Sequence, residues 1–143
     1  MPGASLRLVI ITPEKPVLER AVDSVALPAW DGEMGVLPGH AAALVQLREG
    51  ILRYKDGGDT GVFAVMGGFA EVFRDEVAVF AEAAELAEEI DGEKVRQDVE
   101  KAKNALASRH PDMDIDAAEA ALKVALLRLK AKTALPRRRE RRG

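Results

Sequence analysis

Two periods of apolar residues divide the chain. Up to about residue 85, apolar side chains recur at every second position or in short runs, and beyond Asp91 they recur every three or four. In the first region Leu6, Leu8 and Ile10 alternate with Arg7, Val9 and Ile11. Pro13 and Pro16 bracket a turn, and Val17-Leu18-Glu19 resumes extended chain. The run from Val22 to Leu27 reads as a strand closed by Pro28. Ile51 to Tyr54 leads into Asp56-Gly57-Gly58-Asp59, a hairpin signal. Val62 to Met66, the pair Gly67-Gly68 and Phe69 to Phe73 follow, and Arg74-Asp75-Glu76 turns the chain into Val77 to Phe80. Strands this short, with turn signals about every eight to twelve residues, predict an antiparallel β-sandwich or barrel.

In the second region Val95, Val99, Ala102 and Leu106 fall on one face of a helix. His110-Pro111 stops it, because proline disfavours the helical conformation of the residue before it. Asp112 or Asp114 can cap a second helix, whose stripe is Ile115, Ala118, Leu122, Ala125 or Leu126, and Leu129. The break is short, so the helices are expected to fold back as an antiparallel hairpin. Between Asp91 and Leu135 stand ten alanines and six leucines. Alanine favours the helical backbone but buries little area, so the hairpin is expected to dock weakly on the β-domain or to detach and dock elsewhere. The segment AEAAELAEEI, Ala81 to Ile90, has helix propensity and is either a backward extension of the first helix or strand end plus linker.

Composition adds limits. The chain is 48% apolar but only 4% aromatic, so its core must be aliphatic. It has no cysteine, which removes disulfides, thiolate zinc sites and cysteine nucleophiles together. Arg7 is the single cation ahead of an apolar run too short for a signal peptide, and no run approaches the ~20 apolar residues of a membrane helix. A soluble chain without direct membrane insertion is expected. The net charge of −3 is uneven: Glu82, Glu85, Glu88, Glu89, Asp91 and Glu93 form an acidic patch, whereas the terminal PRRRERRG holds five arginines. A basic tail can bind nucleic acid. Without interleaved aromatics, on an otherwise acidic chain, it reads better as a solvated tail or a contact for an acidic protein surface.

Candidate chemistry is sparse. Neither phosphate-binding glycine motif occurs. His40 and His110 lie in different halves with no repeated ligand spacing, so no metal site is expected. The serines, Ser5, Ser24 and Ser108, lack a nucleophile-elbow context. Asp31 and Glu33 have the types of an acid–base pair but read more simply as solvated loop residues. His40, after Pro38-Gly39, is read as hydrogen-bonding a turn. These residues point away from catalysis by this chain alone.

Three segments carry a resemblance. GEMGVLPGHA at Gly32 to Ala41 supplies the glycines, Pro38, Gly39 and His40 of a known loop. Met66-Gly67-Gly68-Phe69-Ala70-Glu71-Val72 matches a Gly-Gly strand segment. His110 to Ile115 matches a hairpin corner. In order and spacing, from Leu6 to Leu135, the chain resembles the epsilon subunit of the F-type ATP synthase, whose mitochondrial equivalent is called delta. It departs in carrying Ala42-Ala43 where the family has a proline before Leu44.

The resemblance implies a β-sandwich over residues 1–86, a regulatory helical hairpin over 87–135 and a basic tail over 136–143. Val77 to about Glu85 would be the last strand and Leu86 to Ile90 a linker. It implies a non-catalytic central-stalk subunit of a proton-translocating ATP synthase. The sandwich would bind the gamma subunit and the c-ring, with Asp31, Gly32, Glu33 and Met34 as a contact loop and His40 close by. The hairpin would inhibit ATP hydrolysis by extending toward the catalytic head, where Arg128, Lys130, Lys132 and the tail would meet an acidic segment of the beta subunit. No cofactor is implied. Some family members bind regulatory ATP through a motif matching Ile90, Asp91, Lys94 and Val95 here, but Lys94 replaces an arginine and Val95 an alanine, and a plain helix cap explains the segment too. The location implied is the cytoplasmic face of a bacterial membrane, although a plastid-encoded chain would look the same. Two other readings compete: a stand-alone ligand-binding sandwich with a dimerising hairpin, and a nucleic-acid binder using the arginine tail.

Overall fold

A computed structural model describes residues 5–136. Among these residues, eight strands precede two helices: β1 (Leu6–Ile11), β2 (Pro16–Val22), β3 (Ser24–Ala29), β4 (Gly32–Val36), β5 (Ala43–Gln46), β6 (Gly50–Asp56), β7 (Asp59–Phe73), β8 (Glu76–Leu86), α1 (Gly92–Ser108) and α2 (Ile115–Thr133). The strand order is β2-β1-β8-β7-β6-β3-β4, with β5 also on β7. The β1–β8 pair is parallel and the other named pairs are antiparallel.

The two long strands fold this sheet into a sandwich. β6 pairs with β7 from Asp59 to Val65, and β5 continues along the same edge from Phe69 to Val72. β1 pairs only with the start of β8, Glu76 to Phe80. One layer is therefore β2, β1, the start of β8, the end of β7 and β5. The other is the end of β8, the start of β7, β6, β3 and β4. Gly67 (φ 70°) and Gly68 (φ 103°) stand at the bend. A Cβ on Gly68 would lie 2.1 Å from the Phe80 carbonyl oxygen, so only glycine lets β7 and β8 stay paired there.

The bend inverts the side-chain alternation. Phe63 and Val65 face the sandwich core before it, whereas Ala70 and Val72 do so after it; in β8, Val77, Val79 and Ala81 give way to Ala84 and Leu86. Sequence alternation predicts two strands around Gly67-Gly68, but β7 is one strand whose faces exchange. Pro28 likewise does not close β3, which runs on to Ala29. Pairing with β6 has ended at Ala26, so the absent proline N–H costs no ladder bond.

The Asp56–Asp59 hairpin forms as expected, with Gly57 at φ 61°. Ala81 to Leu86 is strand despite its helix propensity, because pairing to β7 and burial outweigh a weak local preference. The link beyond it is packed. Ala87–Glu89 form a 3-10 turn, and Ala87 and Ile90 are buried.

The Asp91 carboxylate accepts from the Glu93 and Lys94 N–H groups at 3.1 and 3.2 Å and starts α1. Arg109, in the left-handed conformation, ends it. Asp114, not Asp112, caps α2 through the Ala117 N–H at 3.0 Å. Val95 and Val99 are buried on α1, as the periodicity predicts. On α2 the expected stripe holds in part: Ala125 is buried and Ala118, Leu122 and Leu129 are half-buried, but Ile115 and Leu126 are exposed and Leu127 and Ala131 are buried beside it. Full burial is confined to the second half of α2, which lies on β6, β7 and the 3-10 turn as well as on α1. Serving two neighbours, it cannot follow one narrow stripe. The hairpin thus sits on the outer face of the second layer, over a separate cluster of Ile51, Val62, Ala64, Ala87, Ile90, Val95, Leu127 and Ala131. The arginine tail lies, apart from Pro136, outside the described residues.

Candidate functional site

The segment read as a contact loop is mostly a β-hairpin. Trp30-Asp31 form the turn, and Gly32, at φ 138°, already pairs with Ala29. Glu33 is exposed, and its carboxylate accepts from Arg53 Nη1 at 3.0 Å across β3. Met34 is partly buried against the sandwich core.

His40 is not beside this turn. The five residues of β4 separate them, about 13 Å at the usual rise between strand residues. The His40 backbone N–H donates to the Leu37 carbonyl at 3.1 Å, and its ring Nδ1 donates to the Ala41 carbonyl at 2.7 Å, so the ring is used in its own turn. That turn is tied to the β7–β8 turn, where the Gly39 N–H donates to Asp75 Oδ1 at 2.7 Å and the Arg7 N–H to the Asp75 carbonyl at 2.8 Å. Arg74 and Asp75 both have positive φ, and sequence reading did not single out Asp75. Aspartate tolerates the left-handed region better than most residues, which was the available signal.

Sequence reading also missed an exposed apolar face on the outside of the first layer. Across the strands Ile11, Phe80, Phe69 and Gln46 stand in one row, and Val9, Ala78, Glu71 and Leu44 in the next. The Phe69 and Phe80 rings stack with centroids 5.0 Å apart. Leu44 is 74% exposed, Phe69 47%, and Trp30 68%. The Trp30 backbone N–H donates to the Gln46 carbonyl at 2.9 Å, which sets Trp30 beside the end of β5. Exchange of faces at Gly67-Gly68 turns Phe69 outward, and straight alternation from Phe63 and Val65 would have turned it inward.

Of the four residues matched to a nucleotide motif, two are buried and two are exposed. Ile90 is 2% and Val95 0% exposed. The Asp91 carboxylate caps α1, and Lys94 points to solvent. The Lys132 stem lies over Gly92, with its Cγ 3.6 Å from where a Cβ would be.

Of the three cations expected to meet an acidic partner, two are engaged internally. Arg128 donates through Nε and Nη2 to the two Glu85 carboxylate oxygens at 2.7 and 2.9 Å, with Asp98 at 3.9 Å from Nη1. The hydrogen bonds to Glu85 raise the Arg128 pKa against the opposing effect of burial. Lys132 Nζ reaches the Ala87 and Glu88 carbonyls at 3.4 and 3.5 Å. Lys130 is exposed.

Among the described residues there is no group of three or more acidic, histidine or cysteine side chains able to hold a metal ion, and no helix long and apolar enough to cross a membrane. Two shallow depressions, about 290 and 380 Å³, flank β1 and β2, and neither is lined by histidine. The arrangement offers surfaces rather than a reaction centre.

Comparison with known proteins agrees. The family described as ATP synthase, Delta/Epsilon chain matches through its beta-sandwich domain at residues 5–87 and its long alpha-helix domain at residues 88–133. The ATP synthase epsilon chain of Symbiobacterium thermophilum is 45% identical over 133 residues, covering 92% of this chain and 96% of that one. The ATP synthase epsilon chain of Elusimicrobium minutum is 49% identical over 100 residues, 69% of this chain and 74% of that one. Among solved structures, a chain of the Euglena gracilis mitochondrial ATP synthase (OSCP/F1/c-ring) superposes with a TM-score of 0.68 at 28% identity, covering 92% of this chain and 79% of that one. With both domains matched and near-full-length relatives above 40% identity, the chain belongs to the ATP synthase delta/epsilon chain family.

Proposed function

We propose that this chain is the epsilon subunit of an F-type ATP synthase, a non-catalytic rotor component that couples rotation of the c-ring to ATP synthesis. The observation that carries this reading is the exposed apolar face of the first layer, on a chain of this family. Leu44, Phe69 and Phe80 are exposed on one face of the first layer, with exposed Trp30 beside β5, and exposed apolar side chains grouped in this way mark a protein partner. We assign this face to the gamma subunit.

The c-ring contact is assigned to two separate places: the hairpin turn with Asp31, Gly32, Glu33 and Met34, and the turn holding His40. The docked hairpin is the non-inhibiting state. On extension Arg128, Lys130 and Lys132 would meet an acidic segment of the beta subunit and oppose ATP hydrolysis. Regulatory ATP would have to reach Ile90, Asp91, Lys94 and Val95, two of which are buried while the hairpin is docked, so its binding is linked to rearrangement there. The subunit would sit peripherally at the membrane, on the cytoplasmic face in a bacterium.

A stand-alone ligand-binding sandwich leaves the paired match over both domains unexplained. The test is purification of the tagged full chain from its own membranes. Recovery of a gamma-like partner and an ATPase is expected, and truncation after residue 88 should keep assembly and raise ATP hydrolysis. A chain recovered without ATPase subunits would refute the assignment.

A further inference from the structure

The geometry points to Glu85 as an internal stand-in for the acidic partner surface: in the docked state it occupies the Arg128 guanidinium and so latches the hairpin away from its inhibitory contact. This inference rests on the function proposed above and adds a regulatory residue to it.

Three observations carry it. First, Arg128 joins three elements. It sits on α2, binds both Glu85 oxygens on β8 at 2.7 and 2.9 Å, and has Asp98 of α1 at 3.9 Å. A bidentate guanidinium–carboxylate pair fixes direction as well as distance. Second, the pair lies at the rim of the cluster that holds the hairpin down. Glu85 is opposite Ala64 in the β7–β8 register, and Ala64 belongs to that cluster, so breaking the pair and lifting α2 are one movement. Third, the cluster is thin. α2 contributes Leu127 and Ala131 to it, with Leu129, and Ala134 and Leu135 just past the helix, only partly buried. Of the two ion pairs from α2 to the sandwich among the described residues, Lys123–Glu49 at 3.5 Å is largely exposed, so the bidentate Arg128–Glu85 pair is the stronger tie.

A guanidinium whose fork is filled by Glu85 cannot offer the same fork to a carboxylate on another chain. Docking and inhibition then compete for one group. An acidic partner surface must displace Glu85, which competes at the high effective concentration of an intramolecular ligand. Two weaker ties accompany it: Lys132, held on the Ala87 and Glu88 carbonyls, which carry no net charge, and the mostly exposed Lys123, 3.5 Å from Glu49.

The absence of cysteine makes the test direct, because introduced thiols are the only ones. Lys55→Cys and Lys101→Cys, both exposed, take spin labels on the sandwich and on α1, and pulsed EPR reads the distance in the full chain. The parent is expected to give one docked distance. Glu85→Gln should lower the docked-to-undocked ratio about tenfold, the size of one charge-assisted hydrogen-bond pair. Arg128→Lys, which keeps the charge but loses the fork, should fall between. The double exchange Glu85→Arg with Arg128→Glu should restore docking. In the assembled ATPase, Glu85→Gln should deepen inhibition of ATP hydrolysis, whereas the double exchange should dock without inhibiting. Unchanged distances in Glu85→Gln overturn the latch. Altered distances with no response of hydrolysis keep the latch and overturn the inhibitory role of the hairpin.

Discussion

The two apolar clusters of this molecule share strands yet serve opposite ends. Inside the sandwich, Leu6, Leu8, Ile10, Leu27, Leu52 and Phe63 are enclosed by two layers whose backbones are hydrogen-bonded across the bend. On the outer face, Val62 and Ala64 of the same β7 meet α1 and α2 through Val95, Leu127 and Ala131. The inner cluster is bound by side-chain burial and by the ladder together. The outer cluster is bound by a few side chains, three of them alanines, and by ion pairs at its rim. A fold built this way can release its hairpin without opening its core, because no backbone ladder crosses the boundary between them.

Substitutions can break or sharpen that contrast. The largest effect is expected from Gly68→Val. It combines a side chain at φ 103° with a clash against the Phe80 carbonyl, and should cost more than about 3 kcal/mol or prevent folding, read as loss of the cooperative unfolding transition. Next, Leu52→Ala and Leu127→Ala probe the two clusters with the same deletion. Leu52→Ala should destabilise the sandwich by about 2–5 kcal/mol in denaturant unfolding. Leu127→Ala should leave the sandwich transition nearly unchanged while freeing the hairpin, seen as faster amide exchange in α1 and α2. Equal effects on both would mean that the clusters form one cooperative unit.

Phe69→Ser should change stability by less than about 1 kcal/mol, because the ring is half exposed, yet it should weaken capture of the gamma-like partner at least tenfold. Undiminished capture would move the partner surface elsewhere. The smallest effect belongs to Asp75→Ala, which removes the acceptor from the Gly39 N–H and leaves an alanine at φ 60°. A loss of about 1 kcal/mol and faster exchange of the Gly39 amide are expected, and Asp75→Asn, which keeps an oxygen acceptor, should recover most of it.

Much of the fold was legible because its signals are local. Gly57-Gly58 announces a hairpin, Asp91 and Asp114 are cap residues, and Val95 and Val99 keep helical spacing. The misreadings occur where a distant segment decides. Gly67-Gly68 looked like a break between strands, but pairing to β8 on one side and to β5 and β6 on the other carries β7 through. Pro28 looked like a terminator, but its missing donor faces no partner strand. Ala125 is the buried one of the two expected positions, and Leu127 is buried as well because α2 rests on a sheet as well as on another helix. The candidate surfaces were legible only in part: the Trp30–Met34 stretch and the α2 cations stood out, whereas the Phe69–Phe80 face and the pairing of Arg128 with Glu85 did not.

The sequence by itself determined what short-range chemistry can determine: an aliphatic β-region followed by an alanine-rich helical pair, the turns and caps between them, and the poverty of catalytic groups. Tertiary structure alone decided which face of each strand is inward after the bend, which cations are already occupied, and which apolar side chains remain uncovered. Those outcomes depend on residues about 11 to 43 positions apart meeting across a folded sheet, and no periodicity along the chain encodes which of two available neighbours a side chain will find.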